Sequence, residues 1–92
     1  MKRSELREKL QLTLREWERR TCEELSQIRF PIVIEHGASD GDDYWDAELD
    51  LLEDTLEYLH ISVAVSDGRW SAFVPLTDSF LVRKEGHRGQ KG

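Results

Sequence analysis

Residues 58–76 constrain the fold most strongly, because an Asp-Gly pair stands there between two runs rich in β-branched and aromatic residues. Such a pair is a strong signal for a hairpin with a two-residue turn, since a type I′ turn needs a positive φ at both central residues. With Asp67 and Gly68 as the turn, the register of the two strands is fixed. The pairs on the apolar face are then Val65–Trp70, Val63–Ala72, Ile61–Val74 and Leu59–Leu76.

The two faces of this predicted hairpin differ in chemistry. One face is wholly apolar, and the other is mixed, with Tyr58, His60 and Phe73 among small side chains and Arg69 next to the turn. Pro75 also lies on the second face, opposite His60. Because proline has no N–H to donate to a neighbouring strand, we expect the ladder to end or bulge at Pro75.

A chain of 92 residues, 38% hydrophobic and 35% charged, predicts one soluble domain with a modest core. No apolar run approaches the ~20 residues that a membrane-spanning helix needs, and the charged N-terminus is unlike a secretory signal. The single cysteine, Cys22, fits a reducing compartment. We therefore expect a cytoplasmic protein with one domain over residues 1–85 and a flexible basic tail over residues 86–92.

Residues 4–29 are predicted to form one long amphipathic helix, because apolar side chains recur there at intervals of three and four residues. The stripe consists of Leu6, Leu10, Leu14, Trp17, Thr21, Leu25 and Ile28. Ser4 is expected to cap the N-terminus, and Pro31 to end the helix, since the residue before a proline is disfavoured in the α conformation. Leu12 lies off the stripe and is a candidate for contact with another subunit.

Two further strands are predicted before the hairpin, over residues 31–37 and 44–52. In the second, four apolar residues alternate strictly with Asp46, Glu48 and Asp50, which favours a strand although acidic residues are poor strand formers. A three-residue loop over 53–55 keeps the apolar residues on one face and places Glu48 opposite His60. Residues 77–79 are expected to form a turn or helix cap, and residues 80–82 either one helical turn or an added strand.

These elements predict an α+β fold, in which the N-terminal helix packs on one face of a roughly four-stranded antiparallel meander sheet. A single helix covers only one face, and the other face of such a sheet is commonly exposed to solvent. The residues predicted to form an acidic and aromatic surface on this second face are Asp46, Glu48, Asp50, Tyr58, His60 and Phe73.

Charge is distributed unevenly along the chain. Residues 31–80 hold twelve Asp/Glu and one arginine, whereas residues 1–30 hold eight Lys/Arg and six Asp/Glu. This pattern is typical of a solvated acidic sheet face, but acidic residues beside aromatic ones also suit the recognition of a basic protein surface. The sequence therefore predicts a protein-interaction module that binds its partner through the six residues named above.

Other kinds of chemistry have less support in the sequence. The cluster of Asp40, Asp42, Asp43 and Asp46 lacks the glycine and glutamate positions of a calcium loop, so no metal site is predicted. No glycine-rich phosphate loop is present, so no cofactor is predicted, and an acidic sheet face disfavours nucleic acid. No catalytic residue is predicted, but a small enzyme that uses His60 with Glu48 stays an alternative.

An N-terminal helix before an antiparallel sheet, in an acidic chain, resembles the small acidic chaperones of bacterial secretion systems, which work as dimers. The resemblance rests on shape and charge and not on a motif, and this chain is shorter and lacks their final helix. It implies a self-associating acidic dimer as an alternative to a module that binds another protein.

Overall fold

A computed structural model of the chain describes residues 2–38, 41–68 and 75–84. Its elements are α1 (Arg3–Glu18), α2 (Cys22–Ser26), β1 (Ile32–His36), β2 (Trp45–Asp54), β3 (Tyr58–Ser66) and β4 (Leu76–Arg83). The strands form one antiparallel sheet in the order β1-β2-β3-β4, and α1 packs on one face, mainly over β3 and β4. The predicted α+β architecture is confirmed, and the predicted basic tail lies outside the described residues.

The prediction of one continuous helix over residues 4–29 is wrong, because the chain leaves α1 after Glu18 and begins α2 at Cys22. The extended residue Thr21 causes the new start. Its Oγ1 accepts a hydrogen bond from the Glu24 N–H at 3.1 Å, and Glu24 Oε1 accepts one from the Thr21 N–H at 2.8 Å. This reciprocal capping defines a helix N-terminus. The change in direction buries Leu25 completely.

The N-terminus of α1 also differs from the prediction. Ser4 lies inside the first turn, and Lys2 occupies the cap position instead. Glu5 Oε1 accepts a hydrogen bond from the Lys2 N–H at 2.9 Å, so a carboxylate satisfies one of the N–H groups that precede the helix. Neither helix among the described residues has the length and apolar character needed to cross a membrane.

The core lies between the helices and one face of the sheet. The helices contribute Leu6, Leu10, Leu14, Trp17 and Leu25, and the strands contribute Ala47, Leu49, Leu59, Ile61, Val63, Val65, Phe80 and Val82. Every second residue of β3 from Leu59 to Val65 is buried, as expected for a central strand with one covered face. Predicted helix residue Ile28 is half-buried against this core.

The predicted register between β2 and β3 is wrong by four residues. Leu49 faces Val63 and not Leu59, and a β-bulge at Leu52 interrupts the ladder. The connection is a tight turn in which the Thr55 hydroxyl accepts hydrogen bonds from the Glu57 and Tyr58 N–H groups. Such a short turn would place polar residues opposite apolar ones, and the extra residue at the bulge restores the match between the faces.

The predicted two-residue hairpin at Asp67 and Gly68 is also wrong. Val65 pairs with Leu76, and Leu59 pairs with Val82, six residues further along the chain than expected. Residues 80–82 belong to β4, where Phe80 and Val82 fill the core positions opposite Ile61 and Leu59. Gly68 does have a positive φ of 79°, but residues 69–74, which include Trp70 and Phe73, lie outside the described residues. Pro75 immediately precedes β4.

Candidate functional site

The open face is the side of the sheet that points away from α1. The side chains of Asp46, Glu48 and Asp50 form a column along β2, because alternate residues of a strand point to the same side. Tyr58 and His60 lie on the same face at the other end of β3. The structure therefore brings five of the six sequence-predicted site residues to one face, and the sixth, Phe73, lies outside the described residues.

Two more carboxylates belong to this face, and sequence reasoning did not include them in the site. Glu35 on β1 is opposite Asp46, and Glu53 on β2 is opposite His60. The alternation within β1 was a signal that could have found Glu35. Glu53 was expected in a loop, and only the bulge turns its side chain to the open face. We call Glu35, Asp46, Glu48, Asp50 and Glu53 together the acidic face.

The neighbouring strand leaves this column of carboxylates uncovered. On β3 the residues opposite Asp46, Glu48 and Asp50 are Ser66, Ala64 and Ser62. These small side chains neither shield nor neutralise the carboxylates. On the open face of the described strands, Arg83 at the far end of β4 is the one Lys or Arg side chain. The acidic face therefore carries a net negative charge that the basic side chains on the same face of the described strands do not balance.

Tyr44 contacts two carboxylates at one end of the acidic face. Its hydroxyl donates to Asp46 Oδ2 at 2.8 Å and approaches Glu35 Oε2 at 3.4 Å. The hydrogen bond to Asp46, with smaller contributions from desolvation and from the charges of both carboxylates, raises the pKa of Tyr44 to about 12. Tyr44 thus holds the two carboxylates close together as a proton donor. Sequence reasoning missed this role.

His60 forms a second cluster at the other end of the face. Its Nε2 lies 2.9 Å from Ser79 Oγ, and its Nδ1 lies 3.6 Å from Glu53 Oε1. The Tyr58 hydroxyl donates to the same Glu53 oxygen at 3.2 Å, and this hydrogen bond raises the pKa of Tyr58. The expected pairing of His60 with Glu48 is wrong, because Glu48 faces Ala64.

Two exposed apolar side chains flank the acidic face on the outer strands. Val33 on β1 is 57% exposed and lies opposite Glu48, and Leu81 on β4 is 57% exposed and lies opposite His60. Sequence reasoning had not placed either residue in the site. The open face therefore combines negative charge with apolar contact points at both edges, a composition found in protein interfaces.

A groove of about 730 Å³ lies on the opposite side of the sheet, between α1 and β1. Leu12, Ile34 and Trp45 line it, and the His36 ring stacks on Trp45 with centroids 3.9 Å apart. Leu12, expected to be free for a second contact, is 53% exposed in its wall. The groove exists because α1 lies over β3 and β4 and leaves β1 largely uncovered.

No group of three or more His, Cys, Asp or Glu side chains suited to holding a metal ion occurs among residues 2–38, 41–68 and 75–84. Comparisons with protein-family models, curated proteins and solved structures gave no match. The interpretation of function therefore rests on the charge, exposure and geometry of this chain.

Proposed function

We propose that the protein is a small cytoplasmic interaction module, which binds a basic surface of a partner protein through the acidic face. The observation that carries this proposal is the uncompensated column of Asp46, Glu48 and Asp50 on the open side of the sheet. The half-buried free thiol of Cys22 supports a reducing location.

Several carboxylates elsewhere in the described residues make contacts within the fold. Glu24 caps α2, Glu16 pairs with Arg20 at 3.4 Å, and Asp54 pairs with Lys84 at 2.6 Å. By contrast, Glu48 and Asp50 make no hydrogen bond or ion pair with the described residues. Alternate residues on a strand are only about 7 Å apart, so these like charges repel one another unless a partner brings opposite charge. A basic partner removes this repulsion when it binds.

The chemistry of the open face also narrows the kind of partner. Negative charge repels the phosphate backbone of nucleic acids, so the face favours a protein. Val33 and Leu81 would contact apolar groups, while the carboxylates between them would meet Lys or Arg side chains. Binding that depends on such charges weakens as salt screens them.

The test compares two variants with the same change in charge. One carries Asp46→Asn, Glu48→Gln and Asp50→Asn, and the control carries Glu8→Gln, Glu18→Gln and Glu23→Gln on the exposed sides of the helices. After affinity capture and identification by mass spectrometry, the affinity of the purified partner is measured at several salt concentrations. We expect the β2 variant to lose binding and the helix variant to retain it, with both folded by circular dichroism. Equal affinities for both variants would contradict the proposal.

Self-association is a second candidate, favoured by the groove between α1 and β1 and by the exposed Leu12 in its wall. A second copy would then cover this groove and give an acidic dimer like the secretion chaperones, which also work as dimers. Sedimentation analysis of the wild type and of Leu12→Glu tests this candidate. A dimer that dissociates in the variant supports it, and a monomeric wild type over the accessible concentration range rules it out.

A further inference from the structure

Three polar side chains from three different strands meet on the open face in the order serine, histidine, glutamate. Ser79 on β4 is diagonal to His60 on β3, because their direct partners are Ser62 and Leu81. The bulge at Leu52 brings Glu53 directly opposite His60. The resulting chain runs from Ser79 Oγ to His60 Nε2 over 2.9 Å and from His60 Nδ1 to Glu53 Oε1 over 3.6 Å.

The neighbours of His60 favour one position of the proton on its ring. An ionised carboxylate only accepts protons, so Glu53 favours the imidazole tautomer with a proton on Nδ1. In that tautomer Nε2 is an acceptor, and the Ser79 hydroxyl can donate to it across 2.9 Å. Tyr58 holds Glu53 through its own hydrogen bond of 3.2 Å to the same oxygen. A nucleophile (Ser79), a base (His60) and a group that orients the base (Glu53) therefore lie next to one another in that order. This is the arrangement that activates serine hydroxyls.

We propose that Ser79 is a nucleophilic serine that accepts the acyl group of an activated ester, with His60 as its general base and Glu53 as a positioning residue. Ser79 Oγ forms a bond to the ester carbonyl carbon, and its proton passes to His60 Nε2. The bond between that carbon and the leaving oxygen breaks, and the leaving group departs with the electron pair. His60 returns the proton to the leaving group or to solvent, and water later hydrolyses the acyl-serine with His60 again as base.

The surroundings of Ser79 select the substrate class. Its backbone N–H already donates to Asp78 Oδ1 at 2.7 Å, so this group does not stabilise a developing oxyanion. General-base assistance alone contributes roughly 10²- to 10⁴-fold in rate. Such assistance suffices for esters whose leaving group is a stable anion, such as aryl esters. The exposed Leu81, next to Ser79 on the same face of β4, offers contact to a short apolar acyl group.

The probe for this activity is p-nitrophenyl acetate with the full-length chain. We measure p-nitrophenolate release, and we locate the acetyl group by peptide mass spectrometry. We expect acetylation of Ser79 in the wild type and a fall in rate of roughly 10²-fold in Ser79→Ala and in His60→Ala. Ser62→Ala, which removes the serine opposite Ser79 on the same face, is the matched control and should keep the wild-type rate.

The role of Glu53 needs a separate readout. Glu53→Gln removes the carboxylate that favours a proton on Nδ1, so the ¹⁵N chemical shifts of the His60 ring should move toward the other tautomer and acetylation should slow, while Ser79 stays the acceptor. An unmodified Ser79 in the wild type, or equal acetylation rates in the wild type and His60→Ala, would overturn the proposal. This activity does not depend on the acidic face binding a partner, because the β2 variant above leaves Ser79, His60 and Glu53 in place.

Discussion

Leu25→Ala tests whether α2 is a separate helix that docks on the core. Leu25 is fully buried, and α2 has five residues, too few to be stable without tertiary contacts. The substitution removes one methine and two methyl groups from the core. Each of them contributes about 0.8 kcal/mol of transfer free energy. The cavity adds further cost, because surrounding side chains relax only in part, and measured Leu→Ala losses are about 2–5 kcal/mol. We therefore expect the free energy of unfolding to fall by about 3 kcal/mol.

Urea unfolding followed by tryptophan fluorescence measures this loss, since Trp17 is buried in the same core. A domain of this size has a total stability of about 5–14 kcal/mol, so the variant should still fold. Its melting temperature should fall by roughly 12–24 °C. The control is Leu12→Ala, whose side chain is 53% exposed and should change stability by about 0.5 kcal/mol or less. Equal losses in the two variants would refute a docked α2.

Three further predictions follow from individual hydrogen bonds. Thr21→Ala removes the N-cap of α2 and should lower the free energy of unfolding by about 1 kcal/mol, measured by urea unfolding. The pKa of Tyr44 is raised in the fold to about 12, so the stability from its bond to Asp46 is present below about pH 10 and lost as pH rises through 12. Asp46→Asn should lower that pKa toward 10 in an ultraviolet titration, with Tyr44→Phe to assign the signal; an unchanged pKa would contradict this cause. Asp78→Ala should increase self-association in light scattering, because it uncovers the Ser79 N–H at the outer edge of β4, which no other described strand covers, and the same charge loss in Asp50→Ala should not.

The faces of the sheet could be predicted from the sequence, and the registers could not. Strict alternation fixes which residues share a side, so the column of Asp46, Glu48 and Asp50 was predictable. A shift by an even number of residues leaves both faces unchanged, and the register errors were four and six residues. Hydrophobic patterning therefore cannot distinguish the correct register from registers shifted by an even number of residues. Only turn chemistry can distinguish them.

Turn chemistry was misleading at both connections. Asp67 and Gly68 carry a strong hairpin signal, yet Val65 pairs with Leu76 and not with Trp70. At the other connection, Thr55 supplies side-chain hydrogen bonds for a tight turn that has no Gly, Asn or Asp at its centre. The cluster around His60 was missed for this reason, because both of its partners come from segments that were expected to be loops or turns. The break between the helices was hidden because Thr21 also fits the apolar spacing.

The bulge at Leu52 has a consequence for changes in chain length. Residues on either side of it pair with adjacent residues of β3, Leu51 with Ile61 and Glu53 with His60. Deleting Leu52 would join the two parts of β2 into a regular strand without altering any cross-strand pair, and its side chain is 52% exposed. Deleting any residue from the regular part of β2 would instead move the following side chains to the opposite face of the sheet. Leu52 is therefore the position in β2 at which the loss of a residue keeps the register, and homologous chains that are one residue shorter in this strand should lack it.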